Sequence, residues 1–589
     1  QQYQLEYEQK SNEMPTCPCS SRWIAFDPWL SPSQQIAVSA VNTSCTIVAP
    51  CSKFRPHGKI CCFDTTTGEW LSYAPRAGGF LKFHPITRKK EFESEDLHMK
   101  KICCEQSDYC HLYYALRPVG KCYSKFPYNS ALSWGDPHIE TLDAKQYTFN
   151  GWGEFTLLSL TTENTSFIIQ GRTDKTTTNE GMSVDATSFT AFAARYNNES
   201  SIHVEMNAER NGTYVYGNGI DYSLDFANLR KDFSVSTETL ILSRANDTNA
   251  LKVLFTSTGE PISLIISVGA EMLALGITLP AIFKNKTKGL LGNYDDDPGN
   301  DFVYPNGTIL AGNATEREIF YYGLTWSIQD SESVFKYTNG TSHADFHHVN
   351  FTPKYLVEAT DSELLEASIK CGNNTACVFD FILTNNERVA ENTKKAGEQE
   401  LKKKEETSNV NPSIESNETS TLYVMMNNPI NLKFHAIDDG PVTFLFERNT
   451  VAAVFTYTDT KSAEANVTFH RDDQCDLSVT AQDGQGYFAP AIKFNFVLCD
   501  GCSDHGSCDY DSFQTNNKPC SLKKAKCICE PYWEGTSCQL DFDGCRGRPC
   551  SLNRTCSDVE ASIHKKSGVT FICSPCPEGY IENGDKCLE

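Results

Sequence analysis

The chain has 589 residues, too many for one hydrophobic core and enough for about four or five units of ordinary domain size. Hydrophobic residues make up 40% and charged residues 22%, a globular composition that excludes a disordered or collagen-like chain. The formal net charge of -23 excludes nucleic acid as a partner, because the one lysine run, Lys402-Lys403-Lys404, is followed at once by Glu405-Glu406.

The 26 cysteines are unevenly spread, ten from Cys17 to Cys122 and fourteen from Cys475 to Cys587, which predicts disulfide-stapled modules in an oxidising compartment. Asn-x-Ser/Thr acceptors for glycosylation stand at Asn42, Asn164, Asn198, Asn211, Asn246, Asn285, Asn306, Asn313, Asn339, Asn350, Asn373, Asn417, Asn466 and Asn553, again as expected of the secretory pathway. The chain begins at Gln1 without a leader, and the reading is of a fragment whose targeting sequence has been removed. The apolar run from Ile262 to Phe283 has nearly the length of a membrane span. Glu271 in its middle, Pro280 near its end and Gly269 and Gly276 divide it into strand-sized pieces, so buried strands are expected and any membrane anchor is placed outside these residues.

In chain order, residues 1–125 form a cystine module. It has Cys17-x-Cys19, the doublets Cys61-Cys62 and Cys103-Cys104, up to five bridges, and too many thiols for one zinc ion. Residues 126–330 contain no cysteine and read as a large all-β domain. Short runs such as Gln146–Phe149, Glu154–Leu158, Ser166–Gln170 and Lys252–Phe255 are separated by turn signals such as Asn211-Gly212 and Asn218-Gly219. Residues 331–418 form a helical connector and linker, helical through Glu363–Lys370 and a Lys/Glu-rich run after Asn392, with Cys371 and Cys377 closing a helix-turn-helix and a polar linker at 407–418. Residues 419–500 alternate as a small β-sandwich, for example Val442–Phe446 and Ile492–Leu498, with Cys475 and Cys499 as its available pair. Twelve cysteines in the remaining residues then make two small modules, 501–539 and 540–589. The fold class is multi-domain, mainly β and disulfide-rich.

The motifs add a family resemblance. The first module resembles an AMOP domain through Cys17-Pro-Cys19, its two doublets and the Cys110/Cys122 ending. The next resembles a von Willebrand factor type D domain. Gly135-Asp-Pro-His-Ile-Glu-Thr-Leu-Asp143 and Tyr147-Thr-Phe-Asn-Gly-Trp-Gly-Glu154 open it, and Gly289-Leu-Leu-Gly-Asn293, Asp301-Phe302 and Gly323-Leu-Thr-Trp326 close it. Many D domains carry cysteines where this chain has Phe155 and Leu291, and the resemblance implies that the paired loss is compensated by apolar packing. Cys502, Cys508, Cys520, Cys527, Cys529 and Cys538 are spaced as in EGF-like modules, and the cluster from Cys545 to Cys587 departs from that spacing in one interval. The order of modules is similar to that of transmembrane mucins of the mucin-four type; mesh-like junction proteins share the first two modules but continue into a sushi module.

Two motifs carry chemistry. In several mucins with D domains the sequence seen here as Gly135-Asp136-Pro137-His138 is a self-cleavage site, cut between Asp136 and Pro137. The Asp136 carboxyl can reach its own carbonyl carbon, Pro137 leaves as an amine, and His138 can carry the proton. The competing reading is a structural turn into the first strand, with Gly135 allowing the bend. The second motif is the acidic loop Asn293–Asp301. By resemblance to the calcium site of D domains it implies side-chain ligands from Asp143, Asn293, Asp295, Asn300 and Asp301 and a carbonyl from Asp297; without the resemblance it reads as a solvated Asx-rich turn. His343, His347 and His348 are read as a surface loop rather than a zinc site. No HExxH, GxSxG or phosphate-loop motif is present, so no enzyme acting on an external substrate is expected and any cleavage is a single turnover.

The resulting expectation is an extracellular, mucin-like adhesion or barrier ectodomain, secreted or on the cell surface, with calcium as its cofactor and other extracellular glycoproteins, or itself, as partners. A secreted matrix component that self-assembles through its AMOP and D modules is the alternative, and an EGF-module ligand of an ErbB-type receptor is a third. Cleavage is expected to leave a noncovalently held junction able to shed the N-terminal part.

Overall fold

The computed structural model describes residues 2–588 apart from 31–34, 37–41, 74–75, 108, 179, 229–232, 246–248, 257–259, 270, 339, 373, 420, 450–451, 471–475, 500, 515–521 and 585. The chain divides into two compact units, Gln1–Asn411 and Pro412–Glu589.

The first unit opens with helix α1 (Gln2–Glu13) and a four-stranded sheet of β1 (Gln35–Ile36), β2 (Thr43–Ile47), β3 (Gly58–Asp64) and β4 (Gly79–Leu81). Bridges Cys17–Cys61, Cys19–Cys122, Cys45–Cys62 and Cys104–Cys110 staple this module, one fewer than the five its cysteines allow. Cys103 stays unbridged, and the Cys51 sulfur lies 2.8 Å from the Thr256 carbonyl oxygen.

Two facing sheets follow. The eight-stranded sheet runs in the order β14 (Ser234–Ser236), β15 (Leu240–Arg244), β16 (Ala250–Phe255), β17 (Ile262–Val268), β18 (Leu273–Pro280), β5 (Tyr128–Trp134), β6 (His138–Glu140) and β7 (Gln146–Thr148). The seven-stranded sheet runs β13 (Ile220–Asp221), β12 (Thr213–Gly217), β11 (Ser200–Met206), β10 (Ser183–Tyr196), β9 (Ser166–Thr177), β8 (Gly153–Thr161) and β19 (Thr287–Lys288). Leu157, Ile169 and Val204 of one sheet and Leu242, Val253, Leu264 and Ile277 of the other share one core, which also takes in Phe155 and Leu291. The Asn218-Gly219 turn has positive φ at both residues, as a two-residue hairpin requires. The run from Ile262 to Phe283 supplies β17 and β18, joined through Glu271 at φ 66. Among the described residues no helix is long and apolar enough to cross a membrane.

Strand β16 is buried along its whole length because the sheet is covered on both faces. Leu251, Val253 and Phe255 enter the inter-sheet core, while Leu254 and Ile241 join the core of the N-terminal module. Lys252 reaches outward to the carbonyls of Asp27 at 2.9 Å and Leu30 at 2.6 Å.

Beyond α2 (Glu316–Leu324), three helices form the connector: α3 (Asp361–Cys371), α4 (Thr375–Thr384) and α5 (Glu387–Ser408). Each start is specified locally. Thr360 and Glu363 make a capping box, Asn374 accepts from Cys377 N at 2.9 Å, and Asn386 accepts from Arg388 N at 3.1 Å. The Cys371–Cys377 bridge joins α3 to α4.

The second unit is a β-sandwich. One sheet orders β20 (Ser413–Ser416), β22 (Ile430–Ile437), β25 (Ser462–Thr468) and β24 (Ala452–Asp459). The other orders β23 (Thr443–Asn449), β26 (Asp476–Gln482), β27 (Ile492–Leu498), β29 (Lys523–Cys529) and β28 (Gly506–Gln514), with β21 (Thr421–Val424) also on β27. Two expectations change here. Ser413–Ser416, read as linker, is a strand, because Ile414 packs against the sandwich core. Cys499 bridges Cys508, not Cys475, and so opens the first cystine module, whose hairpin β28–β29 extends the sandwich sheet. That module continues with Cys502–Cys527 and Cys529–Cys538; Cys475 and Cys520 lie outside the described residues. The last module pairs Cys545–Cys556, Cys550–Cys573 and Cys576–Cys587, the same order of first to third, second to fourth and fifth to sixth.

Candidate functional site

The Gly135-Asp136-Pro137-His138 motif is the tip of the β5–β6 hairpin, closed by the pair Trp134 and His138. Gly135 turns the chain at φ +62, and Phe149 N donates to the Pro137 carbonyl at 2.9 Å. The tip is not a surface turn. Asp136 has no exposed area and His138 has 5%.

What buries it is the helical connector. Phe379 and Leu383 of α4 pack on Ala186 of β10, Asn386 donates to the Thr177 carbonyl at 3.2 Å, and Arg388 pairs with Glu271 at 2.7 Å. This docking brings Asp380, fully buried in the middle of α4, onto the hairpin tip. Its Oδ1 is 2.6 Å from His138 Nε2, and its Oδ2 accepts from Asp136 N at 3.3 Å and from the Thr393 hydroxyl of α5. His138 Nδ1 lies 2.9 Å from Thr148 Oγ1. With Asp380 accepting only, a neutral His138 carries its proton on Nε2 and accepts from Thr148 on Nδ1. Phe379 packs edge-on to the imidazole at 5.4 Å.

The Asp136 carboxyl is the exception in this network, since neither oxygen has a hydrogen-bond partner among the described residues. Burial, and then the Asp380 carboxylate beside it, push its pKa well above the usual carboxylate range. Burial therefore favours its protonated form. A carboxyl with free oxygens, joined through Cβ and Cα to the carbonyl of the Asp136–Pro137 bond and in the same turn as an oriented imidazole, has the parts for intramolecular acyl transfer.

The acidic loop is also assembled. Asp143 Oδ2 and Oδ1 accept from Asp295 N and Asp296 N, each at 2.9 Å. Asn293 Nδ2 reaches Asp295 Oδ2 at 3.1 Å and Asn300 Oδ1 at 2.7 Å, while Asp301 accepts from Thr141 Oγ1 at 2.6 Å and Asn293 N at 3.2 Å. Asn293 Oδ1 is buried without a partner. Burial pushes the Asp301 carboxyl up to about 6, and burial also raises Asp143, both helped by neighbouring carboxylates. Asp297 is exposed, with its side chain accepting from Gly299 N at 2.8 Å and from Asn300 Nδ2 at 3.4 Å. Among the described residues no group of three or more His, Cys, Asp or Glu side chains is set to hold a metal ion. The donor set here depends on its asparagine oxygens, and its all-oxygen chemistry fits calcium.

His343 departs from the expected surface loop. It is buried, with Nδ1 2.7 Å from Glu154 Oε2, because Glu154 and Arg172 form an interior ion pair at 2.8 Å that also holds Tyr337. His348 stacks on Trp152 with centroids 3.5 Å apart. The glycosylation acceptors Asn42, Asn164, Asn198, Asn211, Asn285, Asn306, Asn313, Asn350, Asn417 and Asn466 are all exposed; Asn246, Asn339 and Asn373 lie outside the described residues, as does the Asn553 side chain.

Comparison with known proteins follows the same anatomy. Residues 131–308 match the von Willebrand factor type D domain family, and residues 358–405, the helices that cover the hairpin tip, match the Mucin-4-like C8-3 domain. Mucin-4 of Mus musculus is 27% identical across 97% of the chain, and Mucin-4 of Homo sapiens 26% across 97%. Over nearly its whole length the chain is similar to Mucin-4 proteins. Human Sushi domain-containing protein 2 is 26% identical over 63% of this chain and 47% of its own length. The chain spans 15% and 10% of the lengths of the mouse and human Mucin-4 sequences.

Asp380, Thr393 and Thr148 were not singled out from the sequence. A signal for Asp380 was there: it is the lone charge in the apolar run Cys377-Val-Phe-Asp-Phe-Ile-Leu383. A charge at the centre of a buried helical face needs a partner, and none stands nearby in sequence.

Proposed function

We propose that this chain is an extracellular, glycan-bearing adhesion and barrier segment of the mucin-4 type whose D domain is stiffened by calcium and which cuts its own backbone once between Asp136 and Pro137. The observation that carries the cleavage is the buried, unpartnered Asp136 carboxyl at the hairpin tip, set against the His138–Asp380 pair.

In the cleavage, an Asp136 side-chain oxygen attacks the carbon of its own main-chain carbonyl, forming a five-membered cyclic anhydride. The bond from that carbon to the Pro137 nitrogen breaks, and the carboxyl proton passes to that nitrogen with His138 as carrier, releasing a secondary amine. Water then adds to the anhydride, yielding the Asp136 α-carboxyl and restoring its side chain. Pro137 suits the leaving role because its nitrogen has no N–H that would hold it in the sheet.

Calcium at Asp143, Asn293, Asp295, Asn300 and Asp301 would tie the loop before α2 to the strand-end turn at Asp143, supplying the positive charge that lowers the raised carboxyls. The disulfides and exposed acceptor asparagines support the extracellular reading.

Intact mass and a denaturing gel of the purified chain, beside Asp136→Ala, test the cleavage. Two fragments, one ending at Asp136 and one beginning at Pro137, are expected from the native sequence and a single chain from the variant. A native chain that stays whole after days at neutral pH makes the motif a structural turn.

A further inference from the structure

We propose that Asp380, supported by Thr393, is the positioning residue of this cleavage, so that the bond breaks only after the α4–α5 hairpin has docked on the β5–β6 turn. The inference rests on the self-cleavage reading and adds to it a requirement 244 residues farther along the chain. The D domain by itself then lacks part of its own site, and cleavage reports that the helical connector has folded.

Three observations lead here. First, Asp380 accepts from three groups at the scissile segment: the Asp136 amide, the His138 Nε2–H and the Thr393 hydroxyl. A carboxylate buried on an apolar helix face is costly, and among the described residues it pairs with no Lys or Arg; its three donors and their orientation are what it provides. Second, the docking explains the glycine of the motif. A side-chain carbon on Gly135 would sit 2.6 Å from Thr393 Oγ1 and 2.7 Å from Asp380 Oδ2, so only glycine lets the helices close on the turn. Third, a cleft of about 230 Å³ lined by Gly135, Asn392 and Thr393 opens beside the tip, a route for the water that resolves the anhydride.

The role of Asp380 follows from the contacts. Accepting from Nε2, it fixes the imidazole plane and proton position and stabilises the imidazolium that forms as the proton moves, in the manner of the carboxylate of a hydrolytic triad. Holding the Asp136 amide, it fixes the main-chain carbonyl relative to the side chain that attacks it. The titratable groups that face Asp380 are Asp136 and His138; Thr148, Thr393, Phe379 and Trp134 complete the surroundings, and Lys395 of α5 lines the adjoining cleft.

The test uses the whole chain with Asp380→Asn, Thr393→Val and Asp136→Ala, following the cut fraction on reducing denaturing gels at about pH 7 and pH 5, with thermal melting to confirm folding. Asp380→Asn, which keeps shape and loses charge, is expected to slow cleavage by roughly 100-fold at neutral pH, the scale of an oriented acid-base group. Thr393→Val, which leaves the charge in place, slows it less. The deficit of Asp380→Asn narrows at the lower pH, where the medium supplies the proton that the carboxylate otherwise helps to carry; a merely structural loss would stay constant. Cleavage of a folded Asp380→Asn chain at the native rate overturns the proposal while leaving self-cleavage intact. If Asp380→Asn does not fold, Thr393→Val decides, and an unchanged rate there overturns it. A native chain that never cuts removes the underlying reading and this one with it.

Discussion

Asp301 is a residue whose ionisation can report on the calcium site. With its carboxyl at about 6, the folded chain without a cation holds the proton more tightly than the unfolded chain, whose carboxyl titrates near 3.9. The stability this contributes is fully present below about pH 4 and is lost as pH rises through about 6. A divalent cation needs the ionised form and reverses the sign, so its apparent affinity rises over the same window. Melting temperature with calcium minus that with chelator is therefore expected to be larger at about pH 7.5 than at pH 5, and Asp301→Asn to remove most of the difference. A calcium increment that is absent, or equal at both pH values, would count against calcium at this loop. Asp301 and the asparagines stand together in one local loop, whereas Asp143, far upstream, was joined to them only by the resemblance to D domains. Asp380 could not be placed on Asp136, because no short pattern encodes a contact made by packing two domains.

At the scale of elements, α4 is the one on which the cleavage turns, and its position depends on short-range chemistry. The Cys371–Cys377 bridge spans a separation of six residues, and loop-closure entropy for so short a loop predicts a stabilisation of about 2 kcal/mol. Replacing both cysteines by serine is expected to lower the melting temperature and to slow cleavage in parallel, because fewer molecules hold Asp380 on the turn at any moment. Unchanged cleavage in a chain shown by mass to lack the bridge would mean that the Asn374 and Asn386 caps with Phe379 and Leu383 packing suffice. These helices were legible beforehand from their charge pattern and the cysteine pair, and the D-domain strands from their alternation. Ser413–Ser416 was not: three polar residues around a single Ile414 read as linker, and the local pattern does not encode their pairing with β22 or the packing of Ile414 on the sandwich core. Cys499 was assigned to the sandwich because it ends a strand, whereas its bridge belongs to the module that strand leads into.

For the whole molecule, the location of the scissile bond fixes what the cut can do. It lies at a hairpin tip, so breaking it removes no strand. β5 stays in the sheet between β18 and β6, matched residue for residue with β18 from Tyr128 to Ser133. The N-terminal module that β5 belongs to after the cut remains bound by Lys252 on the Asp27 and Leu30 carbonyls, by Ile241 and Leu254 in its core, and by Trp23 Nε1 on the Glu406 carbonyl at 2.7 Å. Every described disulfide lies wholly on one side of the cut, so among the described residues it is noncovalent contacts such as these that join the pieces. Shedding of the N-terminal part then requires extraction of a central strand, with the cost of exposing both its ladder edges and the buried Lys252. The cut chain is expected to elute as one particle in native size-exclusion chromatography and to separate into two only in denaturant, without reductant. Two peaks under native conditions would show that the sheet does not hold β5 once its turn is open, and that the module is released by cleavage alone.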